Sequence, residues 1–203
     1  LVKVTSNIKH VNHSPSTRKQ GLNLMSKSHT EVSKFLSYVL RHQPEAIGLI
    51  LDNEGWADID TLIACATRER VQLDRQLIQS VVENNDKKRF AISADGQRIR
   101  AVQGHSSRQV DITFIATTPP EFLFHGTATR FVDAIREQGL IPGARQYVHL
   151  SDNETTAAAV GKRYGKPVVL KINALSMYEQ NIEFYQAENG VWLTAAVPAK
   201  FIE

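Results

Sequence analysis

With 203 residues, 42% of them hydrophobic and 22% charged, the chain has the make-up of an ordinary globular protein and length for one large or two small domains. No run approaches the roughly 20 apolar residues of a membrane-spanning helix, and a lone cysteine, Cys65, excludes an internal disulfide framework. The net charge of +3 is no more than the first 24 residues supply, where Lys3, Lys9, Arg18 and Lys19 face no acid; global basicity therefore implies no nucleic-acid partner by itself.

Residues 1–24 have no sustained apolar period and no signal-peptide core. They are expected to form a disordered leader, with the working protein starting near Met25; a basic RNA-touching arm is the alternative. Val32, Phe35, Leu36, Val39 and Leu40 then recur at helical spacing. Thr30 is the expected cap and Pro44 ends the helix just after Arg41 and His42. Such a pair at a packed helix end suits a phosphate, and equally suits the helix dipole. Gly48–Asp52 reads as a short strand. A second helix is expected from near Asp60, with Leu62 and Ile63 inward. Cys65 lies on it as a small buried hydrophobe, at home in a reducing cytoplasm. A third is expected from near Asp74, burying Leu77, Ile78, Val81 and Val82. Arg89–Ser93 and Arg98–Val102 flank an Asp95-Gly96 turn, a hairpin signal. Three helices and a hairpin over residues 25–110 make the winged-helix pattern. Between Asp86 and Val110 six cations (Lys87, Lys88, Arg89, Arg98, Arg100 and Arg108) face two acids, Asp86 and Asp95. On alternating strands the arginines are expected to line one solvated face that holds a phosphate backbone, a merely soluble hairpin being the alternative.

Gln103–Pro120 reads as the join to a second α+β domain, residues 111–203. Phe122-Leu123-Phe124 is expected as a buried strand running into His125-Gly126-Thr127, and a helix with Phe131 and Ile135 stops at Gly139. Tyr147–Ser151 is a further strand, followed by a helix over 154–164 and strands at Val168–Leu170 and Val191–Leu193. Glycine in His125-Gly126-Thr127 lets a ligand approach the backbone, and imidazole and hydroxyl groups supply directed hydrogen bonds. His149 and Ser151 leaving a second strand can face them across a cleft, which suits a ribose-and-amide ligand; core or surface histidines remain the alternative. No Rossmann or Walker glycine pattern occurs, and the separated histidines predict no metal site.

Five stretches in order carry a resemblance: Ser33–His42, Asn85–Phe90, Arg100–Ser106, Leu123–Thr127 and Tyr147–Ser151. Together they resemble the NAD-dependent RNA 2′-phosphotransferase family, the enzymes related to the one that removes the splice-junction 2′-phosphate from tRNA. The resemblance runs from about Thr30 to the C-terminus; residues 1–24 have no counterpart. It implies an α+β protein with an N-terminal winged-helix RNA lobe and a C-terminal ADP-ribosyltransferase-like split-sheet lobe. It implies NAD as co-substrate, RNA bearing a 2′-phosphate as partner, and a cytoplasmic enzyme with neither metal nor obligate protein partner. Arg41, His42, Arg89 and Arg145 would be its catalytic group; His125, Gly126, Thr127, His149 and Ser151 would belong to the NAD pocket.

The implied reaction has two steps. The 2′-phosphate attacks C1″ of the nicotinamide ribose and nicotinamide leaves, giving a 2′-phospho-ADP-ribosylated RNA; O2″ then attacks that phosphate, giving 2′-OH RNA and ADP-ribose 1″,2″-cyclic phosphate. Arg41 and Arg89 would clamp the phosphate beside His42, a candidate for proton transfer, and Arg145 would meet the charge of the second step. Wider ADP-ribosyltransferases often carry a late catalytic glutamate; here Glu188 falls in a turn and the corresponding position is apolar Val191. A nucleophile that is already an anion needs no such carboxylate, so Glu188 is expected to be dispensable for dephosphorylation. Two readings compete: an ADP-ribosyltransferase acting on nucleic-acid terminal phosphates or protein, and a non-catalytic winged-helix nucleic-acid binder.

Overall fold

The computed structural model describes residues 17–107 and 109–203, with side-chain surroundings from His29 onward; most of the expected leader, residues 1–16, and Arg108 lie outside the described residues. The fold is α+β, a mixture of short helices and small antiparallel sheets.

Helix α1 (Thr17–Arg41) begins inside the segment expected as a leader, so Thr30 sits mid-helix rather than at its cap. No proline falls between Pro15 and Pro44, and nothing in that stretch forbids helix. Its apolar stripe buries Val32, Leu36, Val39 and Leu40, with Phe35 packed partly against the same core. Helices α2 (Ile59–Arg68) and α3 (Arg75–Glu83) complete a three-helix cluster. The α2 cap is Asp58, accepting from Thr61 N at 2.7 Å, two residues before the expected Asp60. The α3 cap is Asp74, accepting from Leu77 N at 2.7 Å. Strands β1 (Ala57–Asp58), β2 (Phe90–Ile92) and β3 (Arg98–Ala101) form an antiparallel sheet in the order β1-β3-β2, with β2 and β3 the expected hairpin.

The strand expected at Gly48–Asp52 does not form. Leu49 and Leu51 are buried and Ile50 is 81% exposed, so the alternation is real. The backbone is nonetheless satisfied by turns: Leu49 N donates to Pro44 O at 2.9 Å and Asp52 N to Trp56 O at 3.0 Å. Alternating burial without a free neighbouring edge makes no sheet.

In the C-terminal half, β4 (Phe122–Ala128) pairs with β6 (Pro167–Asn173), and β5 (Val148–Leu150), β7 (Tyr185–Gln186) and β8 (Trp192–Thr194) form a sheet in the order β5-β8-β7. Phe124 and Ser151 exchange two backbone hydrogen bonds of 2.8 Å and so tie the two sheets together. The strand expected at Phe122–Phe124 continues through His125, Gly126 and Thr127 as β4. Helix α4 (Val132–Gln138) stops at Gly139 as expected, although Phe131 is 42% exposed and not inward. Helix α5 (Glu154–Gly161), capped by Asn153, crosses β4 at close range. A Cβ on Gly126 would meet Ala157 O at 1.6 Å, and one on Gly161 would meet Thr127 O at 2.5 Å. Glycine at both positions thus has a packing reason independent of any ligand. Helix α6 (Ala174–Glu179) and β7 were not evident from the sequence.

Two buried clusters result, one running from Val32 to Ile112 and the other from Leu123 to Phe201. Phe114, Tyr147 and Tyr185 form an aromatic triad with centroids 5.6–6.2 Å apart, and Ala116 bridges to Tyr185, so the joining segment is stitched to the second cluster. Among the described residues no helix is long and apolar enough to cross a membrane.

Candidate active site

The end of α1 meets the second half of the chain through one loop. Ser106 N and Ser107 N both donate to Arg41 O, at 2.9 and 3.2 Å, and so cap the helix. The His42 ring Nδ1 lies 2.9 Å from Ser106 Oγ, which fixes the imidazole. Between them runs Gly104, at φ +87°; a Cβ there would stand 3.4 Å from His149 Cε1 and 3.7 Å from Arg41 Cζ. This glycine is therefore the point where the α1 end and β5 approach one another.

Arg41 is 7% exposed, yet its Nε and Nη2 are buried without a hydrogen-bond partner. Burial, then Arg89, then Arg145, holds the guanidinium down to about 10, and it stays charged at neutral pH. Arg89 leaves the Asn85–Lys88 turn with Nη1 donating to Asn85 Oδ1 at 3.3 Å; burial and then Arg163 lower its pKa. Arg145 Nη1 donates to His149 Nδ1 at 2.8 Å. Among the described residues, none of these three arginines forms an ion pair. Cations drawn together with donors unfilled and no carboxylate make an anion-ready site.

The histidines are held neutral. Burial, then Arg145 and Arg41, takes His149 to about 3, and accepting from Arg145 assigns its proton to Nε2. His125 Nδ1 donates to His149 O at 3.1 Å, leaving Nε2 as an acceptor; burial lowers its pKa against that bond. His42 is lowered by burial, then by Arg41 and Arg145. Ser151 and Thr127 stand on β5's end and on β4, with Thr127 buried. Ser151, His149 and His125 are thus brought together at the β4–β5 junction, beside Arg145, whereas Gly126 is occupied with α5. A neutral acceptor, a neutral donor and a hydroxyl can together hydrogen-bond a polar, uncharged ligand group.

Unlike Arg89, the β3 arginines Arg98 and Arg100 are engaged by carboxylates. Arg100 stacks over Trp56 at 4.6 Å and pairs with Glu54 at 3.5 Å and with Glu188, while Arg98 lies 5.3 Å over the same ring and 3.6 Å from Asp52. The expected open phosphate face on β3 is overturned, because nearby carboxylates already take those charges. Glu188, placed in a turn, is engaged by Arg100, and Asn189 Nδ2 donates to Lys87 O at 3.1 Å. Two contributors escaped the sequence reading. His105, 3% exposed and held to about 4 by burial and then Arg41, carries an unpartnered Nε2. Arg163, from the turn after α5, lies near enough to depress Lys87 and Arg89; no spacing pattern links position 163 to 89. No group of three or more His, Cys, Asp or Glu able to hold a metal occurs among the described residues.

Residues 16–196 match the model of a family described as RNA 2′-phosphotransferase, Tpt1 / KptA family. The chain is 62% identical over 180 residues to a probable RNA 2′-phosphotransferase of Pectobacterium carotovorum, covering 89% of this chain and 97% of that one. A protein of the same name from Pseudomonas aeruginosa PAO1 is 64% identical over 176 residues (87% and 97%). One from Escherichia coli O6:K15:H31 is 59% identical over 177 residues (87% and 96%).

Proposed function

The chain belongs to the RNA 2′-phosphotransferase, Tpt1 / KptA family, and on that premise we propose that it removes an internal 2′-phosphate from RNA by transferring it to NAD. The observation that carries the reading is the guanidinium cluster of Arg41, Arg89 and Arg145, buried or half-buried at its core and without a carboxylate partner. An RNA 2′-phosphate is the anion it fits: a compact oxyanion that accepts two or more forked donors and relieves the repulsion among them.

NAD, when bound, supplies the C1″ acceptor carbon and nicotinamide as a neutral leaving group. His125, Thr127, His149 and Ser151 would hold its ribose and amide, with Gly126 shaping the strand beneath. Arg41 and Arg89 orient the phosphate and hold its charge in place, which lowers the entropic part of the barrier. Arg145, hydrogen-bonded to His149 and near enough to Arg41 to lower its pKa, can neutralise charge that builds on phosphorus when the phosphate leaves RNA. His42, held by Ser106, is placed beside the clamp for a proton transfer. Glu188 has no part in the chemistry, since Arg100 holds it. In this reading residues 25–110 form a winged-helix RNA lobe and 111–203 an ADP-ribosyltransferase-like lobe.

Purified protein incubated with NAD and a short RNA carrying one internal 2′-phosphate tests this. The expected products are 2′-OH RNA, nicotinamide and ADP-ribose 1″,2″-cyclic phosphate, and Arg145→Ala should accumulate ADP-ribosylated RNA. Intact NAD after long incubation overturns the reading in favour of a binding module. Transfer to a terminal phosphate or to protein overturns it in favour of a different ADP-ribosyltransferase.

A further inference from the structure

From the arginine cluster opens a trough of about 540 Å³ whose stretch beyond His42 and Arg89 the function above leaves unused. Its near end is His42 and Arg89. From there it follows the polar face of α1 past Tyr38, Ser37, Lys34 and Ser33, with Asn85 and Lys87 on the opposite wall. These α1 positions share one face because Ser33 and Ser37, Lys34 and Ser37, and Lys34 and Tyr38 fall three or four residues apart. Tyr38 stands one helical turn, ~6 Å, before His42, and Lys34 stands two, ~12 Å.

The lining chemistry is selective. Tyr38 is 46% exposed, and its hydroxyl donates to Gln43 Oε1 at 3.2 Å, which fixes the ring in an outward pose. Lys34 is exposed and forms no ion pair with another described residue. Asn85 ties floor to clamp: its Nδ2 donates to Ser33 Oγ at 3.3 Å, and its Oδ1 accepts from Lys87 N at 3.2 Å and Arg89 Nη1 at 3.3 Å. At the far end Ser80 of α3 and His29 of α1 approach to 3.3 Å and close the floor. An exposed, fixed aromatic ring, lysines without an ion pair among the described residues and hydroxyls along the floor, against a single lining carboxylate, Asp86, are what single-stranded nucleic acid uses: a stacking platform and contacts to the backbone.

We propose that this trough seats the nucleotide next to the phosphorylated one in a single-stranded RNA, Tyr38 stacking on its base and Lys34 contacting its phosphodiester. The inference rests on the reading of the cluster as a 2′-phosphate site. It replaces the β3 face as the RNA path, since Arg98 and Arg100 are committed to carboxylates. NAD is not the occupant: the residues suited to it come from β4 and β5, whereas the trough walls come wholly from α1, α3 and the turn into β2.

The test compares kcat and KM on two substrates, a nucleoside 2′-monophosphate and a trinucleotide with a central 2′-phosphate, at fixed NAD, and measures the KM for NAD separately on the trinucleotide. Wild type should show a lower KM for the trinucleotide. Tyr38→Ala should raise trinucleotide KM about tenfold with a much smaller change in kcat, and Tyr38→Phe should restore it. Lys34→Ala should raise trinucleotide KM and flatten its logarithmic salt dependence by about 0.7, which a purely structural role would not do. Unchanged trinucleotide KM in both variants overturns the proposal, as does a rise in the KM for NAD in its place. Absence of turnover by wild type on either substrate sinks the underlying reading instead.

Discussion

Two arginine groups lie close together in this molecule and have been put to opposite uses. Arg41, Arg89 and Arg145 converge with no ion pair among the described residues, and two donors of Arg41 are buried without a partner. Arg98 and Arg100, a few residues further along the same basic stretch, stack on Trp56 and are matched by Asp52, Glu54 and Glu188. The first group is left electrostatically incomplete, which costs stability and leaves room for an anion. The second is matched by carboxylates, although Arg100 Nε too is buried without a partner, and it joins the hairpin to the turn before β8. Cation density along a sequence says nothing about which of these a residue serves; the neighbouring carboxylates decide.

The contrast predicts opposite signs for matched substitutions. Arg41→Met should lower kcat/KM on 2′-phosphorylated RNA by about 10²–10³-fold while raising stability by about 1–3 kcal/mol, because an unpaired buried charge is gone. Chemical denaturation beside steady-state kinetics reads both. An Arg41→Met protein that is inactive and also much less stable would break the comparison, for it would make Arg41 a structural residue.

The next effect sharpens the idea that the first group's field is uncompensated. His149 and His105, held to about 3 and about 4, have folded values below the unfolded ~6.5. The unfolded state therefore takes up more protons below pH 6.5. Their share of stability is complete above that pH and declines as the pH falls towards 4, by up to ~1.4 kcal/mol per pH unit for each histidine. Urea midpoints should fall steadily from pH 7 to pH 4.5. In Arg145→Met the fall should be shallower but still present, because burial is the larger cause for His149. An identical fall would show that burial alone keeps the imidazole neutral down to pH 4.5.

The smallest effect belongs to the carboxylate-matched group. Arg100→Met and Glu188→Ala should each lower stability by about 0.5–2 kcal/mol, with a coupling of about 1 kcal/mol in the double-mutant cycle. Glu188 is roughly half exposed, and solvent screening keeps the figure low. Turnover should change less than tenfold in either variant. Additive losses would mean that the contact holds nothing together.

Much of this was legible beforehand because it rests on periodicity and caps. The stripe from Val32 to Leu40 and the cap at Asp74 were readable, since local geometry alone sets them. So was the Asp95-Gly96 turn. The strand at Gly48–Asp52 was misread because alternating burial is shared by true strands and by extended chain pinned in turns. The β3 arginines were misread because Glu188 is 88 residues away from Arg100. The candidate site was legible as residue types but not as geometry: nothing in the sequence places Gly104 between Arg41 and His149, or Arg163 beside Arg89.

The interlock of Gly126 and Gly161 has a practical reach. In a tolerance map of this chain scored by activity, both positions would look as forbidding as Arg41, and a ranking by intolerance would place them in the catalytic centre. The cause is different: strand and helix touch there backbone to backbone, with Ala157 O filling the space of a side chain. Abundance scored alongside activity separates the two kinds of intolerance. Catalytic positions lose turnover while the protein accumulates, and contact glycines lose both together.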